Sequence, residues 1–420
     1  MVKSITTVSS PFPDGQRVTG LVLEYDREFE SCELDGGSFE VKERTVTGAR
    51  TDGSCIIIDL NPKDAKSSTL FEKGRHISEP RPKMGPGGPG GHEGPGGPGG
   101  PGGHGGPPEI VLPDGRKFKG PHGIAASRPA VEVEVLQKAE IQGEPAWEES
   151  RVNDRECNEL ADLFEVKTLE DMEYNLYVPE DYDPDKKYPL VLFIHDAGAT
   201  GDSPRVTLEQ GLGALAWVTK EIQNKHHCFV VAPQHHKEFP IANDNYWCFD
   251  DEHTIKKIVD RVCEEYSIDT ARLYTTGQSM GFMTSVQLML DYPGFFAAAL
   301  LPAGHWDIEK TATLWDKKIW MFLSEDDKGG MNLIQNLPGA IEKIGGRLGI
   351  YSWDANQPTE EIGRLIESVK DDGYSFRMTV FPTGSIMRPD QPDRTDGGGH
   401  AGTWHFVYQI KAALEWLLEQ

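Results

Sequence analysis

In the N-terminal third of the chain, hydrophobic and polar residues alternate in short runs, most clearly in Val131-Glu132-Val133-Glu134-Val135. Alternation with a period of two is typical of strands that bury one face. Turn-forming combinations of Asp or Asn with Gly or Pro separate the runs, and little helical periodicity intervenes. The pattern predicts a small antiparallel β-sandwich with strands at 17–26, 38–44, 54–60 and 129–139.

The pattern changes near residue 165, where unbroken apolar runs begin to alternate with segments of helical length. The run 188–194 contains no polar position other than a tyrosine hydroxyl, as expected for a strand buried on both faces of a parallel sheet. We therefore predict a mainly parallel, doubly wound α/β sheet. Its predicted strands are 174–178, 191–195, 228–232, 271–276, 296–301, 319–323 and 375–381, and its predicted helices are 208–222, 253–266, 282–290, 358–370 and 406–418.

A low-complexity stretch interrupts the N-terminal region between Met84 and Pro108. Glycine recurs at every third position from Gly85 to Gly106, which is the collagen spacing, but the stretch is short and many remaining positions are also glycine. We interpret it as a flexible surface loop. The predicted organisation is a β-sandwich domain at 1–145 with the insert 84–108, a linker at 146–164, and an α/β domain at 165–420.

The motif with the strongest chemical implication is Gly277-Gln278-Ser279-Met280-Gly281, which lies between a predicted strand and a predicted helix. G-x-S-x-G in this context forms a sharp turn that holds a serine hydroxyl out of the sheet. The serine then lies at the positive end of a helix, where an oxyanion is stabilised. Ser279 is therefore the candidate nucleophile.

A candidate acid and a candidate base follow in the chain. The apolar run ending at Leu323 leads to the acids Asp326 and Asp327, and glycines precede His400 near the C-terminus. We expect Asp327 to orient His400, with Asp326 as the alternative acid, and His400 to take the serine proton. His305 and His405 are the rival bases.

These pieces together resemble a known family. Residues from about 165 onward resemble serine esterases of the α/β-hydrolase superfamily, in the group with polyhydroxybutyrate-depolymerase-like and feruloyl-esterase-like enzymes. The matching segments are 188–195, 277–281, 319–322 with the following acid, and 400–404. Some members carry an immunoglobulin-like N-terminal domain, and the predicted sandwich is similar to it. The acid strand of that group often contains a histidine where Leu323 stands here.

The resemblance implies an oxyanion hole of backbone amides. Met280, directly after the serine, is expected to supply one N–H, and the loop after the strand 191–195 the other. Many relatives have His-Gly in this loop, whereas this chain has His195-Asp196, so Asp196 and Ala197 both stay candidates. His195 and Trp247 are candidates for contacting substrate, with structural packing as the alternative for each. Adjacent histidines at 226–227 and 235–236 point to opposite faces of a strand, so we expect no metal site and no cofactor.

The predicted function is a serine carboxylic-ester hydrolase that acts through an acyl-enzyme. A peptidase of the prolyl-oligopeptidase type is the alternative within the fold, although the N-terminal region is too short for that family's β-propeller. A non-catalytic binding protein on a hydrolase scaffold is the alternative in another class, but the complete set of Ser, Asp and His disfavours it.

Charge and targeting signals restrict the partners. The net charge of −25 argues against nucleic acid and anionic membranes. No secretory signal or transmembrane run is visible, and the six cysteines show no C-x-x-C spacing, so we expect a cytoplasmic protein with free thiols, or an extracellular one if a signal was trimmed. The expected partner is a small or polymeric ester substrate, and a homo-oligomer stays open.

Overall fold

The structure is a computed structural model that describes residues 1–72, 75–78, 109–111, 117–119, 125–237, 240–386 and 398–420. The glycine-rich insert predicted at 84–108 lies outside the described residues. Within the described parts, no helix is both long and apolar enough to cross a membrane.

The N-terminal domain is built from strands, as the alternating pattern predicts. Their bounds are β1 (Val2–Phe12), β2 (Gly15–Tyr25), β3 (Cys32–Leu34), β4 (Phe39–Val41), β5 (Val46–Asp52), β6 (Cys55–Leu60), β7 (Phe71–Glu72), β8 (Arg75–His76), β9 (Glu109–Val111), β10 (Lys117–Lys119), β11 (Ala126–Ser127), β12 (Glu134–Gln137), β13 (Arg151–Val152) and β14 (Arg155–Asn158). The main sheet has the strand order β14-β1-β2-β6-β5-β3, and a second sheet has the order β13-β12-β4. The remaining short strands form a β11-β7-β8 sheet and a β9-β10 pair.

The two main sheets enclose one apolar core. Alternate residues of β2 and β6 point into it, for example Leu21, Leu23 and Ile58, and Val135 of β12 closes it from the other sheet. The phenol of Tyr25 donates a hydrogen bond of 2.5 Å to Gln137 Oε1 and links the two layers. Burial of one face of each strand explains the alternation seen in the sequence.

The segment predicted as a linker, 146–164, contributes two strands to the sandwich. β13 pairs antiparallel with β12, and β14 pairs parallel with β1. Both strands are short and lack an alternating apolar pattern, so the sequence does not predict them. The strand β1, whose residues pair with β2, was not predicted either.

The C-terminal domain contains one large sheet and a small hairpin. Its strands are β15 (Glu165–Leu169), β16 (Met172–Tyr177), β17 (Tyr188–Ile194), β18 (Phe229–Gln234), β19 (Ala242–Asn243), β20 (Trp247–Cys248), β21 (Ile268–Gly277), β22 (Ala298–Pro302), β23 (Lys318–Ser324), β24 (Leu348–Ser352) and β25 (Phe376–Phe381). β19 and β20 form the hairpin, and the other nine form a sheet with the order β15-β16-β18-β17-β21-β22-β23-β25-β24. Only the pairs β15-β16 and β16-β18 are antiparallel, and all other neighbours in this sheet are parallel.

Helices cover both faces of this sheet. They are α1 (Arg205–Glu209), α2 (Leu212–Leu215), α3 (Lys220–Gln223), α4 (Asp251–Glu265), α5 (Met280–Asp291), α6 (Ile308–Ala312), α7 (Met331–Lys343), α8 (Thr359–Val369), α9 (Gly398–Val407) and α10 (Lys411–Leu418). Single 3-10 turns lie at Gly36–Ser38, Ala161–Leu163, Ala197–Ala199 and Ala216–Val218.

The strand β17 shows why its sequence has no polar alternation. Leu190 and Leu192 pack into one core with α4, α5 and α7, whereas Val191 and Phe193 pack into a second core with α10. Both sides of the strand are therefore buried, as predicted for a doubly wound sheet.

Two predicted helices are interrupted. The helix predicted at 208–222 is divided into α1, α2, a 3-10 turn and α3, and the break between α1 and α2 lies at Gly211, whose φ of 157° and ψ of −155° are not helical. The helix predicted at 406–418 is also divided, since α9 ends at Val407 and α10 begins at Lys411. The break allows α9 to pack on β23 and α10 to pack on α8.

The two domains meet beside the end of β17. The backbone amides of Ala125 and Ala126 donate to the carbonyl oxygen of Thr200 at 2.8 and 3.1 Å. Nearby, the buried carboxylate of Glu209 accepts from Arg128 Nε at 2.9 Å and from Thr69 Oγ1 at 2.5 Å. The N-terminal domain therefore contacts the residues that directly follow the turn 197–199.

Candidate active site

Ser279 lies at a sharp turn between β21 and α5. Its φ of 53° and ψ of −114° belong to a strained conformation for a residue with a side chain. The flanking glycines are required by close approach: a Cβ on Gly277 would lie 2.6 Å, and one on Gly281 1.9 Å, from the carbonyl oxygen of Ile194. The motif therefore has its glycines where strand and helix touch.

A second strained turn holds the serine backbone. Ala303, directly after β22, has a φ of 51° and is completely buried. Its carbonyl oxygen accepts a hydrogen bond of 2.8 Å from the amide of Ser279. No motif in the sequence marks this contact, which becomes visible only when β21 and β22 lie side by side.

His400 brings its imidazole to the serine from the first turn of α9. Its Nε2 lies 2.9 Å from Ser279 Oγ, and its side chain is about 29% exposed, so a reacting molecule can reach it. A Cβ on the preceding Gly399 would lie 2.4 Å from the Asp326 backbone, so glycine allows α9 to begin against the acid loop. Trp404, one turn later, contacts the imidazole edge to face at 4.9 Å.

Asp327 holds the other side of the imidazole. Its Oδ2 lies 2.7 Å from His400 Nδ1, and its Oδ1 accepts from the amide of Gly329 at 2.9 Å. Burial by itself raises the pKa of Asp327, but the hydrogen bond and charge of His400, together with the Gly329 and Gly330 amides, outweigh it and lower the pKa. The carboxylate therefore stays ionised at neutral pH.

Asp326, the alternative acid, faces away from His400. Its carboxylate accepts hydrogen bonds of 3.1 and 2.9 Å from the amide of Gly384. The rival bases are also elsewhere: His305 Nε2 lies 3.3 Å from Asp244, and the His405 ring contacts Trp404. The structure therefore brings Ser279, His400 and Asp327 together and leaves the alternatives outside.

The amides expected at the oxyanion are placed at two helix starts. Met280 is the first residue of α5, and Ala197 is the first residue of the 3-10 turn, so neither has an acceptor within its own helix. Asp196 precedes the turn and caps it, since its carboxylate accepts from the Gly198 amide at 2.7 Å. Amides of this kind can donate to an oxyanion.

His195 does not fit the expectation that it contacts substrate. Its side chain is completely buried. Its Nδ1 lies 2.7 Å from the carbonyl oxygen of Asp196, and its Nε2 accepts from the amide of His235 at 3.0 Å. Burial lowers the pKa of His195 to about 3, so the ring is neutral and structural.

Trp247 lies beside the helix α5. It is half-buried in the hairpin strand β20, with its ring 4.9 Å from that of Phe249. It lines a cavity of about 190 Å³ whose other walls include Gln287 and Asp291 of α5, and none of Ser279, His400 and Asp327 is among the lining residues. The sequence shows the aromatic cluster, but its distance from the serine depends on where the hairpin packs.

Asp244 and His305 form a contact that the sequence did not predict. Their side chains pair at 3.3 Å, and Asp244 is exposed at the hairpin tip. The pKa of Asp244 is lowered, first by its hydrogen bond with His305 and more weakly by the charge of His400. A Cβ on Gly329 would lie 3.2 Å from Asp327 Oδ1 and 3.6 Å from His305 Nδ1, so the pair lies beside the loop that carries Asp327.

The doubly wound sheet, the strained serine turn and the aligned histidine and aspartate define an α/β-hydrolase fold with a serine-centred site. Residues 4–144 match the family model described as "Esterase Ig-like N-terminal domain", and residues 167–368 match the one described as "Putative esterase". These matches identify the chain as a carboxylic-ester hydrolase with an Ig-like N-terminal domain.

One solved structure has a similar fold. This thermostable esterase matches over 100% of both chains, with 24% identity and a TM-score of 0.72. The feruloyl esterase module from Clostridium thermocellum, solved with sinapinate, is more distant: 14% identity over 60% of this chain and 86% of that chain, TM-score 0.40. Thermogutta terrifontis esterase 2 matches at 12% identity over 53% and 83% of the two chains, TM-score 0.34. None of the curated proteins matches this sequence.

Proposed function

We propose that the protein hydrolyses carboxylic esters through an acyl-enzyme formed on Ser279. The observation that carries the proposal is the continuous hydrogen-bonded series from Asp327 through His400 to Ser279, with distances of 2.7 and 2.9 Å. A serine hydroxyl is too weakly acidic to ionise at neutral pH, so it needs a base within hydrogen-bond reach. The base in turn needs a partner that holds its proton on Nδ1, and Asp327 can do this.

In the first half of the proposed reaction, Ser279 Oγ attacks the carbonyl carbon of the ester while His400 Nε2 takes the hydroxyl proton. The tetrahedral intermediate collapses, the bond to the alkoxy oxygen breaks, and His400 returns the proton to the leaving alcohol. In the second half, His400 takes a proton from water, whose oxygen attacks the acyl carbon. The carboxylic acid leaves, and Ser279 regains its proton.

The charge that develops on the carbonyl oxygen requires nearby donors. We propose the amides of Met280 and Ala197, since both begin a helical turn and have no acceptor within it. A single donor of this kind is worth about 3 kcal/mol in the transition state. Because Asp196 precedes the turn with an extended backbone and uses its side chain as the cap, Ala197 is the better candidate of the two in this loop.

The architecture of the N-terminal domain disfavours the peptidase alternative. In the described residues the N-terminal domain is a β-sandwich, whereas prolyl-oligopeptidase-type enzymes restrict entry with a β-propeller. Ester hydrolysis is therefore the function that the chain supports best.

The test is Ser279→Ala, compared with Ser285→Ala as a matched control. Ser285 lies on the same helix α5, is buried, and bonds Thr275 Oγ1 at 2.9 Å. We expect Ser279→Ala to lower kcat for a small neutral ester by several orders of magnitude with little change in Tm, because the hydroxyl that it removes lies outside the apolar cores. Ser285→Ala should keep kcat within about threefold, even if Tm falls by a few degrees.

Covalent labelling gives a second readout that does not depend on the choice of ester. A fluorophosphonate probe should label the wild type and Ser285→Ala, and should not label Ser279→Ala, since it requires an activated serine. Activity of Ser279→Ala within tenfold of the wild type would contradict the proposal.

A panel of esters with increasing acyl length, including feruloyl esters, would define which acyl group the wild-type protein prefers.

A further inference from the structure

One buried side chain next to the nucleophile is not used by the mechanism above. Gln278 directly precedes Ser279 and is only 2% exposed. Its Nε2 donates to Asp196 Oδ2 at 3.2 Å and to Gln210 Oε1 at 2.9 Å. The residue therefore connects the serine turn with the loop that follows β17.

The bond to Asp196 acts on the turn that carries the Ala197 amide. Asp196 uses its two carboxylate oxygens for different partners: Oδ1 accepts from the Gly198 amide and Oδ2 from Gln278. Burial raises the pKa of Asp196 above its ordinary value, and the hydrogen bonds from Gln278 and Gly198 oppose that rise because they favour the accepting carboxylate.

The backbone of the same residue is held independently. The carbonyl oxygen of Asp196 accepts from the Ala199 amide at 3.1 Å and is 2.7 Å from His195 Nδ1. With its backbone held by His195 and its side chain by Gln278, Asp196 leaves the Ala197 amide little freedom to rotate.

We propose that Gln278 and Asp196 are a pair of positioning residues that aim the Ala197 amide at the oxyanion. The inference rests on the proposed serine mechanism and adds to it a link between the nucleophile turn and the second oxyanion donor. Neither side chain touches the reacting atoms in this proposal. Both act through the turn 197–199.

The first test is Gln278→Leu, which removes the donor at similar volume. We expect kcat for a small neutral ester to fall by about 100-fold with KM changed less than about threefold, because an oxyanion donor acts in the transition state more than in the ground state. The affinity of an alkyl boronic acid, which forms a tetrahedral adduct with an activated serine, should fall in parallel with kcat/KM.

The matched control is Gln223→Leu. Gln223 is also buried, at 8% exposure, and its Nε2 donates to the carbonyl oxygens of Trp217 and Cys228 at 2.8 and 3.1 Å. Both variants lose a buried amide from the same domain. We expect Tm to fall by a similar amount in both variants. Only Gln223→Leu should keep the kcat of the wild type.

A donor–acceptor exchange separates positioning from general packing. Asp196→Asn should lower kcat, because the amide nitrogen that replaces Oδ2 cannot accept from Gln278 Nε2 while Oδ1 accepts from the Gly198 amide. Gln278→Glu should lower kcat, because two carboxylates would face each other. When both changes are combined, the amide introduced at position 196 can donate to the carboxylate introduced at position 278, while its oxygen still caps the turn. We expect this double variant to regain kcat to within about tenfold of the wild type.

The outcomes distinguish this inference from the proposed function. If Ser279→Ala abolishes activity but Gln278→Leu keeps kcat within about threefold, the positioning role is wrong and the serine mechanism stands. If the double variant is no better than the worse single variant, the pairing is also wrong. If Ser279→Ala remains active, both proposals fail.

Discussion

At the scale of single residues, two adjacent aspartates have different environments. Asp327 is 4% exposed and bonds His400, whereas Asp326 bonds the backbone of Gly384. Successive side chains after a strand point in different directions, so one acid reaches the imidazole and its neighbour serves a nearby turn. Chemical type does not distinguish them; orientation does.

We expect Asp327→Asn to lower kcat by about 10⁴-fold, because the amide no longer holds the proton on His400 Nδ1. Asp326→Asn keeps an acceptor for the Gly384 amide and should change kcat little. Steady-state kinetics on one small ester, with Tm measured for both variants, tests the pair. The reverse ranking would assign the role to Asp326.

The lowered pKa of Asp327 predicts a dependence of stability on pH. A carboxylate whose pKa is lower in the folded state stabilises the protein above its unfolded value, near 3.8, and this contribution is lost as the pH falls through the lower folded value. The difference in unfolding free energy between wild type and Asp327→Asn should therefore shrink as the pH falls below about 4. Urea unfolding across this range measures it, and a difference that stays constant down to about pH 2.5 would contradict the lowered pKa.

At the scale of elements, the site depends on how closely α5 approaches the end of β17. The helix begins so near the strand that Gly281 has no room for a side chain, and the strain at Ser279 is maintained by this contact and by the bond to Ala303. The same proximity brings the start of α5, with Met280, beside the loop that carries Ala197. The position of α5 against β17 therefore determines the geometry of Ser279.

We expect Gly281→Ala to destabilise the protein by about 3 kcal/mol, because the added methyl group meets backbone rather than a movable side chain. It should also lower kcat by displacing Ser279. Gly339→Ala is the matched control, since Gly339 lies in α7 with nothing within 4 Å of an added Cβ. That change should raise the free energy of unfolding by up to about 1 kcal/mol and leave kcat unchanged. Chemical denaturation and steady-state kinetics on both variants test the contrast, and a Gly281→Ala protein as stable and active as the control would contradict it.

At the scale of the whole molecule, a buried charge cluster joins the two domains. Glu209 of α1 is completely buried and pairs with Arg128 from the N-terminal domain at 2.9 Å and with Arg205 at 3.0 Å. Arg128 also pairs with Glu156 at 2.6 Å. The cluster lies next to the carbonyl oxygen of Thr200, which accepts from the amides of residues 125 and 126. The contact between the two domains is therefore adjacent to the loop that carries Ala197.

We expect Glu209→Gln to lower the free energy of unfolding by about 3 kcal/mol, because a buried pair loses its anion while both arginines remain. Glu221→Gln is the control, since Glu221 forms an exposed pair with Lys411 at 2.7 Å, and it should cost less than about 1 kcal/mol. Chemical denaturation of both variants measures the contrast. Equal losses would show that the domain contact does not depend on Glu209.

Local patterns in the chain were enough to predict the class of each domain and the nucleophile turn. Alternation near Val133 predicts a strand buried on one face, and the unbroken run 188–194 predicts one buried on both, since these are direct consequences of side-chain direction. G-x-S-x-G is equally local, because the required glycines are neighbours of the serine in the chain. Family resemblance added the expectation of an esterase, which the family models confirm.

Contacts between distant segments could be read only from the folded chain. Side-chain orientation brings Asp327 rather than Asp326 to His400, and the position of its hairpin places Trp247 at the flank of α5. His195 is structural because the His235 amide and the Asp196 carbonyl satisfy its ring, and Gln278 meets Asp196 because β17 and β21 pair. These contacts join residues far apart in the sequence or depend on the direction of a side chain after a strand, and no local pattern encodes such distances.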